Sequence, residues 1–101
     1  MMLSAAERAV LDACFRETTE GPYFPDWEFP TLFGATRDKV RASRRHWAAG
    51  KTEGQDHVIA SQVLNNLISY PHGLAKQLSA TVGGSVEELS LLRDKLMAGA
   101  A

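Results

Sequence analysis

Apolar residues recur at helical spacing in several separate stretches, and no segment alternates with a period of two for long enough to predict a strand. The clearest stretch covers residues 59–68, where apolar residues share one side of a helix and polar residues share the other. Its apolar members are Ile59, Ala60, Val63, Leu64, Leu67 and Ile68. This pattern is typical of an amphipathic helix that packs on a core, so we expect this helix at the centre of the fold.

Residues that start and end helices divide the rest of the chain. Two capping boxes, in which a serine is followed three residues later by a glutamate, are Ser4 with Glu7 and Ser85 with Glu88. The first predicts a helix over residues 4–17, and the second predicts the start of the last helix.

Two more helices complete the pattern. Thr36 is the expected cap of a helix that runs to about residue 48, and Pro71 separates the central helix from a short one that ends at Gly83. Helices of this length are marginal alone, so their apolar faces must pack together. We therefore predict an all-α fold: one domain over residues 1–101, built as a small irregular bundle of four to five helices.

One long loop, over residues 18–35, interrupts the predicted bundle. Three prolines fall within it, and so do five of the eight aromatic residues of the chain: Tyr23, Phe24, Trp27, Phe29 and Phe33. We expect most of these rings to close the core, with the prolines reducing the entropy lost on ordering the loop. Tyr23 and Trp27 are the rings that we expect to remain for a partner.

Charge is segregated along the chain, although the net charge is −1. Residues 37–51 contain six basic residues and one acidic residue, whereas the segments on both sides are acidic. On a helix, Arg37, Arg41, Arg44 and Arg45 fall within an arc of roughly 100°. These four residues, here called the arginine cluster, either pair with acids of the chain itself or face carboxylates of a partner or phosphates.

Residues 31–47, which include the stretch "LFGATRDKVRASRRHW", resemble the turn and second helix of helix-turn-helix DNA-binding proteins. The resemblance implies that Gly34 lies in the turn and that arginines of the cluster face a DNA groove. The chain departs from that pattern at Pro30, inside the first helix of the pair, and at Ser43, where an apolar residue is expected.

Residues with catalytic or metal-binding chemistry form no recognisable motif. His46, His57 and His72 lack the i, i+4 spacing of a helical zinc site. Cys14, the single cysteine, lies in an apolar stripe and is expected to be a buried thiol. Asp26 and Glu28 could form an acid–base pair, but nothing in the sequence marks either carboxylate as buried. We predict no enzyme, and no catalytic, cofactor or metal site.

The favoured hypothesis is a small interaction module that binds a partner protein, or a second copy of itself, through the aromatic loop and the basic helix. The predicted partner-binding residues are Tyr23, Trp27, Arg37, Arg41, Arg44 and Arg45. The alternative is a DNA-binding regulator, with nucleic acid as the less favoured partner. No stretch resembles a secretion signal or a membrane span, so we expect a cytoplasmic protein that does not enter membranes.

Overall fold

Helices form the regular secondary structure of this chain. The computed structural model covers residues 3–100, and side chains are described for residues 3–98. Over that range six helices follow in chain order: α1 (Ala5–Glu20), α2 (Phe29–Phe33), α3 (Arg37–Ala49), α4 (Gly54–Ser69), α5 (Ala75–Val82) and α6 (Val86–Ala100). The predicted all-α class is confirmed, whereas the predicted number of four to five helices is too low.

The predicted loop over residues 18–35 is too long, because α1 extends into it and α2 lies within it. On one side, α1 continues to Glu20. Thr18 and Thr19 are buried, and the hydroxyl of Thr19 donates a hydrogen bond to the carbonyl of Phe15 at 3.0 Å. Burial outweighs the low intrinsic helix propensity of these two residues, and the hydrogen bond satisfies the buried hydroxyl of Thr19.

On the other side, α2 adds a short helix. Pro30 lies in its first turn, where a backbone N–H needs no partner within the helix. Gly34 ends it with a φ of 63°, in the left-handed region that glycine enters without steric cost, and its N–H donates to the carbonyl of Pro30 at 2.8 Å. Residues 21–28, here called the Trp27 loop, are the irregular segment that remains between α1 and α2.

The core is built around α4, in the central place that its pattern predicted. α4 packs most extensively against α6 and also contacts α1, α2 and α3. Its buried apolar side chains belong to one cluster with those of the other helices. Each apolar square ångström removed from water contributes about 25 cal/mol, so this shared core holds together helices that would be marginal alone.

Both predicted capping boxes are present. The backbone N–H of Glu7 donates to the hydroxyl oxygen of Ser4 at 3.0 Å, and the N–H of Glu88 donates to Ser85 at 3.2 Å. None of the helices within residues 3–100 combines the length and the apolar character that crossing a bilayer requires.

Candidate functional site

The Trp27 loop folds two of its rings into the core and leaves one outside. Tyr23 and Phe24 are 2% and 4% exposed, whereas Trp27 is 80% exposed. Phe24 packs edge-on against Phe33 and Tyr70, with ring centroids 5.0 and 5.3 Å apart. Edge-to-face aromatic contacts of this kind are favourable, so the inward rings attach the loop to the core.

Both acidic neighbours of Trp27 are held by residues elsewhere in the chain. Nη2 of Arg37 lies 2.9 Å from Oδ1 of Asp26, and the hydroxyl of Tyr70 donates to Oε2 of Glu28 at 2.6 Å. This hydrogen bond to a carboxylate raises the pKa of Tyr70. The loop is therefore attached to the fold on both sides of the exposed indole, before it by an exposed ion pair that contributes little and after it by a partly buried hydrogen bond.

Arg37, the first residue of α3, supports the loop from beneath. Its guanidinium donates to the carbonyl oxygens of Thr18, Thr19 and Phe24 at 3.1, 3.2 and 2.8 Å. The same group lies over the ring of Phe29, 4.3 Å from its centroid. The planar fork of arginine offers five N–H donors. Here its Nη1 and Nη2 groups bind backbone carbonyls, and its Nε donates to Asp26 at 3.1 Å.

Arg41 and Arg44 join α3 to α1. Nε of Arg41 lies 2.8 Å from Oε1 of Glu20. Arg44 binds both carboxylate oxygens of Asp12, at 2.8 and 3.0 Å, in the bidentate geometry that makes such pairs strong. Hydrogen bonds from these arginines lower the pKa values of Asp12 and Glu20. Arg41 and Arg44 therefore pair with acids of the chain itself, which is the first of the two interpretations given for the arginine cluster.

Arg45 differs from the rest of the arginine cluster. It is exposed, and among residues 3–98 it has no carboxylate within ion-pair distance. Its guanidinium is therefore free to meet an acidic group of another molecule.

The six predicted partner-binding residues do not form one surface. Tyr23 is inside the core, and three of the four arginines bind groups of the chain itself. Trp27 and Arg45 remain available to a partner. The path of the backbone through the loop decides that Tyr23 is buried and Trp27 is exposed, and the sequence pattern does not specify that path.

An unpredicted polar cluster joins the end of α3 to the start of α4. Oδ1 of buried Asp56 accepts a hydrogen bond from the hydroxyl of Ser43 at 2.8 Å, and it lies 3.0 Å from Nδ1 of His46. Burial acts to raise the pKa of Asp56, but hydrogen bonds from the N–H of Glu53, from His46 and from Ser43 outweigh it and lower the pKa. Ser43 is buried, and its hydroxyl donates to a carboxylate whose lowered pKa makes it a weak base. The cluster instead connects two helices.

The cysteine is also unsuited to nucleophilic chemistry. Cys14 is fully buried, as predicted, and burial raises the pKa of its thiol to about 12. The reactive thiolate is therefore scarce at neutral pH. In the part of the chain that the structure describes, no group of three or more His, Cys, Asp and Glu side chains is placed to hold a metal ion.

Comparisons with protein-family models, with curated proteins and with solved structures find no match to this chain.

Proposed function

We propose that this chain is a small non-catalytic interaction module that binds a partner protein through Trp27. The observation that carries the proposal is an indole 80% exposed on a loop whose flanking residues are both tied to the fold. Tryptophan is enriched among the residues that dominate binding energy at protein interfaces. A partner pocket would remove this large apolar ring from water, which is favourable.

The support beneath the loop strengthens the proposal. Binding costs free energy when a loop or side chain must first be ordered, and a loop fixed beforehand avoids part of that cost. The contacts of Arg37, Asp26 and Glu28 provide this order in the free protein.

The partner is either another protein or a second copy of the chain, and in both cases it would contact the same exposed ring. The cytoplasm, where the single buried thiol of Cys14 stays reduced, is the proposed location.

Photo-crosslinking tests the proposal. A tryptophan analogue that carries a photoreactive azide on an otherwise intact indole is placed at position 27 and, as the control, at position 58, because Val58 is also a large exposed apolar residue but lies on α4. We expect a specific adduct from position 27 and not from position 58. The purified partner is then titrated with the wild type, Trp27→Ala and Val58→Ala. Trp27→Ala should weaken binding about 30-fold or more, as a residue of this kind does. Unchanged affinity for Trp27→Ala would exclude the proposal.

DNA binding by α2, Gly34 and α3 remains the second candidate. It is favoured by the left-handed glycine between two consecutive helices, an order similar to that of helix-turn-helix proteins. It is weakened because Arg37 already donates hydrogen bonds to backbone carbonyls and Ser43 already donates to Asp56, so neither side chain is free to contact DNA. A duplex of random sequence is the probe: affinity that falls steeply as salt rises supports this candidate, and absence of binding at low salt eliminates it.

A further inference from the structure

A small apolar pocket opens between α1 and α3, on the face that also carries the ion pairs of the arginine cluster. It measures about 330 Å³ and is lined by Arg8, Ala9, Leu11, Asp12, Trp47 and Ala48. Pockets that hold small ligands span about 300–1,000 Å³, so this one is at the lower end of that range. Its size suits a single bulky side chain better than a whole ligand.

The wall formed by Trp47 is held in place. The indole N–H of Trp47 donates to the carbonyl of Asp56 at 3.2 Å, and its ring packs edge-on against His57 with centroids 4.9 Å apart. These contacts with α4 fix the position of the indole, so the pocket is already formed in the free protein.

Two unneutralised cations flank this pocket. Arg8 lines it directly, and Arg45 lines a second depression that shares Asp12 and Ala48 with it. Both arginines are exposed, and over residues 3–98 neither forms an ion pair. Asp12, which lines both depressions, is already neutralised by Arg44. Positive charge that no carboxylate among residues 3–98 neutralises thus lies at the pocket, on Arg8, and at the adjoining depression, on Arg45.

We propose that this pocket, with Arg8 and Arg45, binds an acidic segment of the partner protein that carries one bulky apolar side chain. The inference rests on the proposed function and adds the chemistry of the partner. The carboxylates of the segment would pair with the two arginines, and its apolar side chain would enter the pocket against Trp47. Complementary charge of this kind speeds encounter and selects partners.

Phosphates would also pair with these arginines, but the apolar pocket favours an acidic peptide. A phosphate gains nothing from an apolar pocket, whereas a leucine or phenylalanine side chain is removed from water there.

The test uses the full chain, labelled with ¹⁵N, and a synthetic heptapeptide whose central phenylalanine is flanked on each side by three acidic residues. We expect saturable shifts of the Trp47 indole signal and of the backbone signals of residues 8–12 and 44–48. The double variant Arg8→Glu/Arg45→Glu should lose at least about tenfold in affinity. The matched control, Lys39→Glu/Lys76→Glu, makes the same change in net charge away from the pocket and should bind as the wild type does.

Three results would overturn the inference: equal affinity for both charge-reversed variants, equal binding of a heptapeptide with serine at its central position, or tighter binding of duplex DNA than of the peptide at these residues. Trp27 does not line the pocket. If the native partner still needs Trp27 while the peptide fails to bind, this inference fails and the proposed function stands.

Discussion

The guanidinium carbon of Arg37 lies 4.3 Å from the centroid of the Phe29 ring, so the first residue of α3 covers the first residue of α2. The same guanidinium binds the backbone of α1 and of the Trp27 loop. The basic helix and the aromatic segment are therefore one structural unit, in which an arginine supports the loop that exposes Trp27.

Replacement of Arg37 should destabilise the fold. Arg37→Ala removes three hydrogen bonds to carbonyls, the ion pair with Asp26 and the contact with Phe29. Hydrogen bonds to charged groups contribute about 1.5–3 kcal/mol, so we expect a loss of about 2–4 kcal/mol in the free energy of unfolding, measured in urea. Arg45→Ala, the control, should change it by less than about 0.5 kcal/mol. Equal effects of the two substitutions would contradict the role given to Arg37.

Tyr23 should tolerate loss of its hydroxyl but not of its ring. Within the described residues its buried hydroxyl has no hydrogen-bond partner, so Tyr23→Phe removes an unsatisfied group and should be neutral or stabilising. Tyr23→Ala leaves a cavity and should cost about 3–5 kcal/mol. Thermal unfolding of the two variants distinguishes these effects. A large loss for Tyr23→Phe would mean that the hydroxyl has a partner.

Stability should fall in acid partly because of Asp56. Its pKa is lower in the folded protein than the ordinary value of 3.8, so the unfolded chain binds more protons near pH 4. The stability contributed by the ionised carboxylate is present above that pH and is lost as the pH falls through the folded pKa. In Asp56→Asn the free energy of unfolding should be lower at pH 7 and should decline less between pH 5 and pH 2. An unchanged decline would exclude this contribution.

Cys14 should resist alkylation in the native protein. Its thiol is buried and its pKa is raised to about 12, so reaction requires opening of the core. Iodoacetamide labelling followed by mass spectrometry should be slow without denaturant and complete in concentrated urea. Rapid labelling of the folded chain would show that the thiol is accessible.

The sequence predicted the features that depend on repeating patterns and local caps. The stripe from Ile59 to Ile68 indicated the central helix, and the serine–glutamate pairs indicated two helix starts. It did not predict that Thr18 and Thr19 stay helical, because their burial depends on contacts with distant residues that no local pattern contains.

The candidate site was predicted only in part for the same reason. The positions of the arginines on one arc of α3 were apparent, but their pairing with Asp12, Glu20 and Asp26 depends on how α3 packs against α1 and the loop. Two helix faces must also meet to form the pocket beside Trp47. Its components, Arg8 and Trp47, are 39 residues apart in the chain and carry no shared sequence signal.

Nuclear magnetic resonance relaxation of the ¹⁵N-labelled free protein tests whether Trp27 is held rigidly outside the fold. The ion pair of Asp26 and the hydrogen bond of Glu28 should give residues 26–28 backbone order parameters near the rigid value of about 0.85. The Trp27 indole N–H should exchange rapidly with water, while that of Trp47, bonded to Asp56, is protected. Order parameters below about 0.6 in residues 26–28, or a protected Trp27 indole, would contradict a fixed and exposed ring.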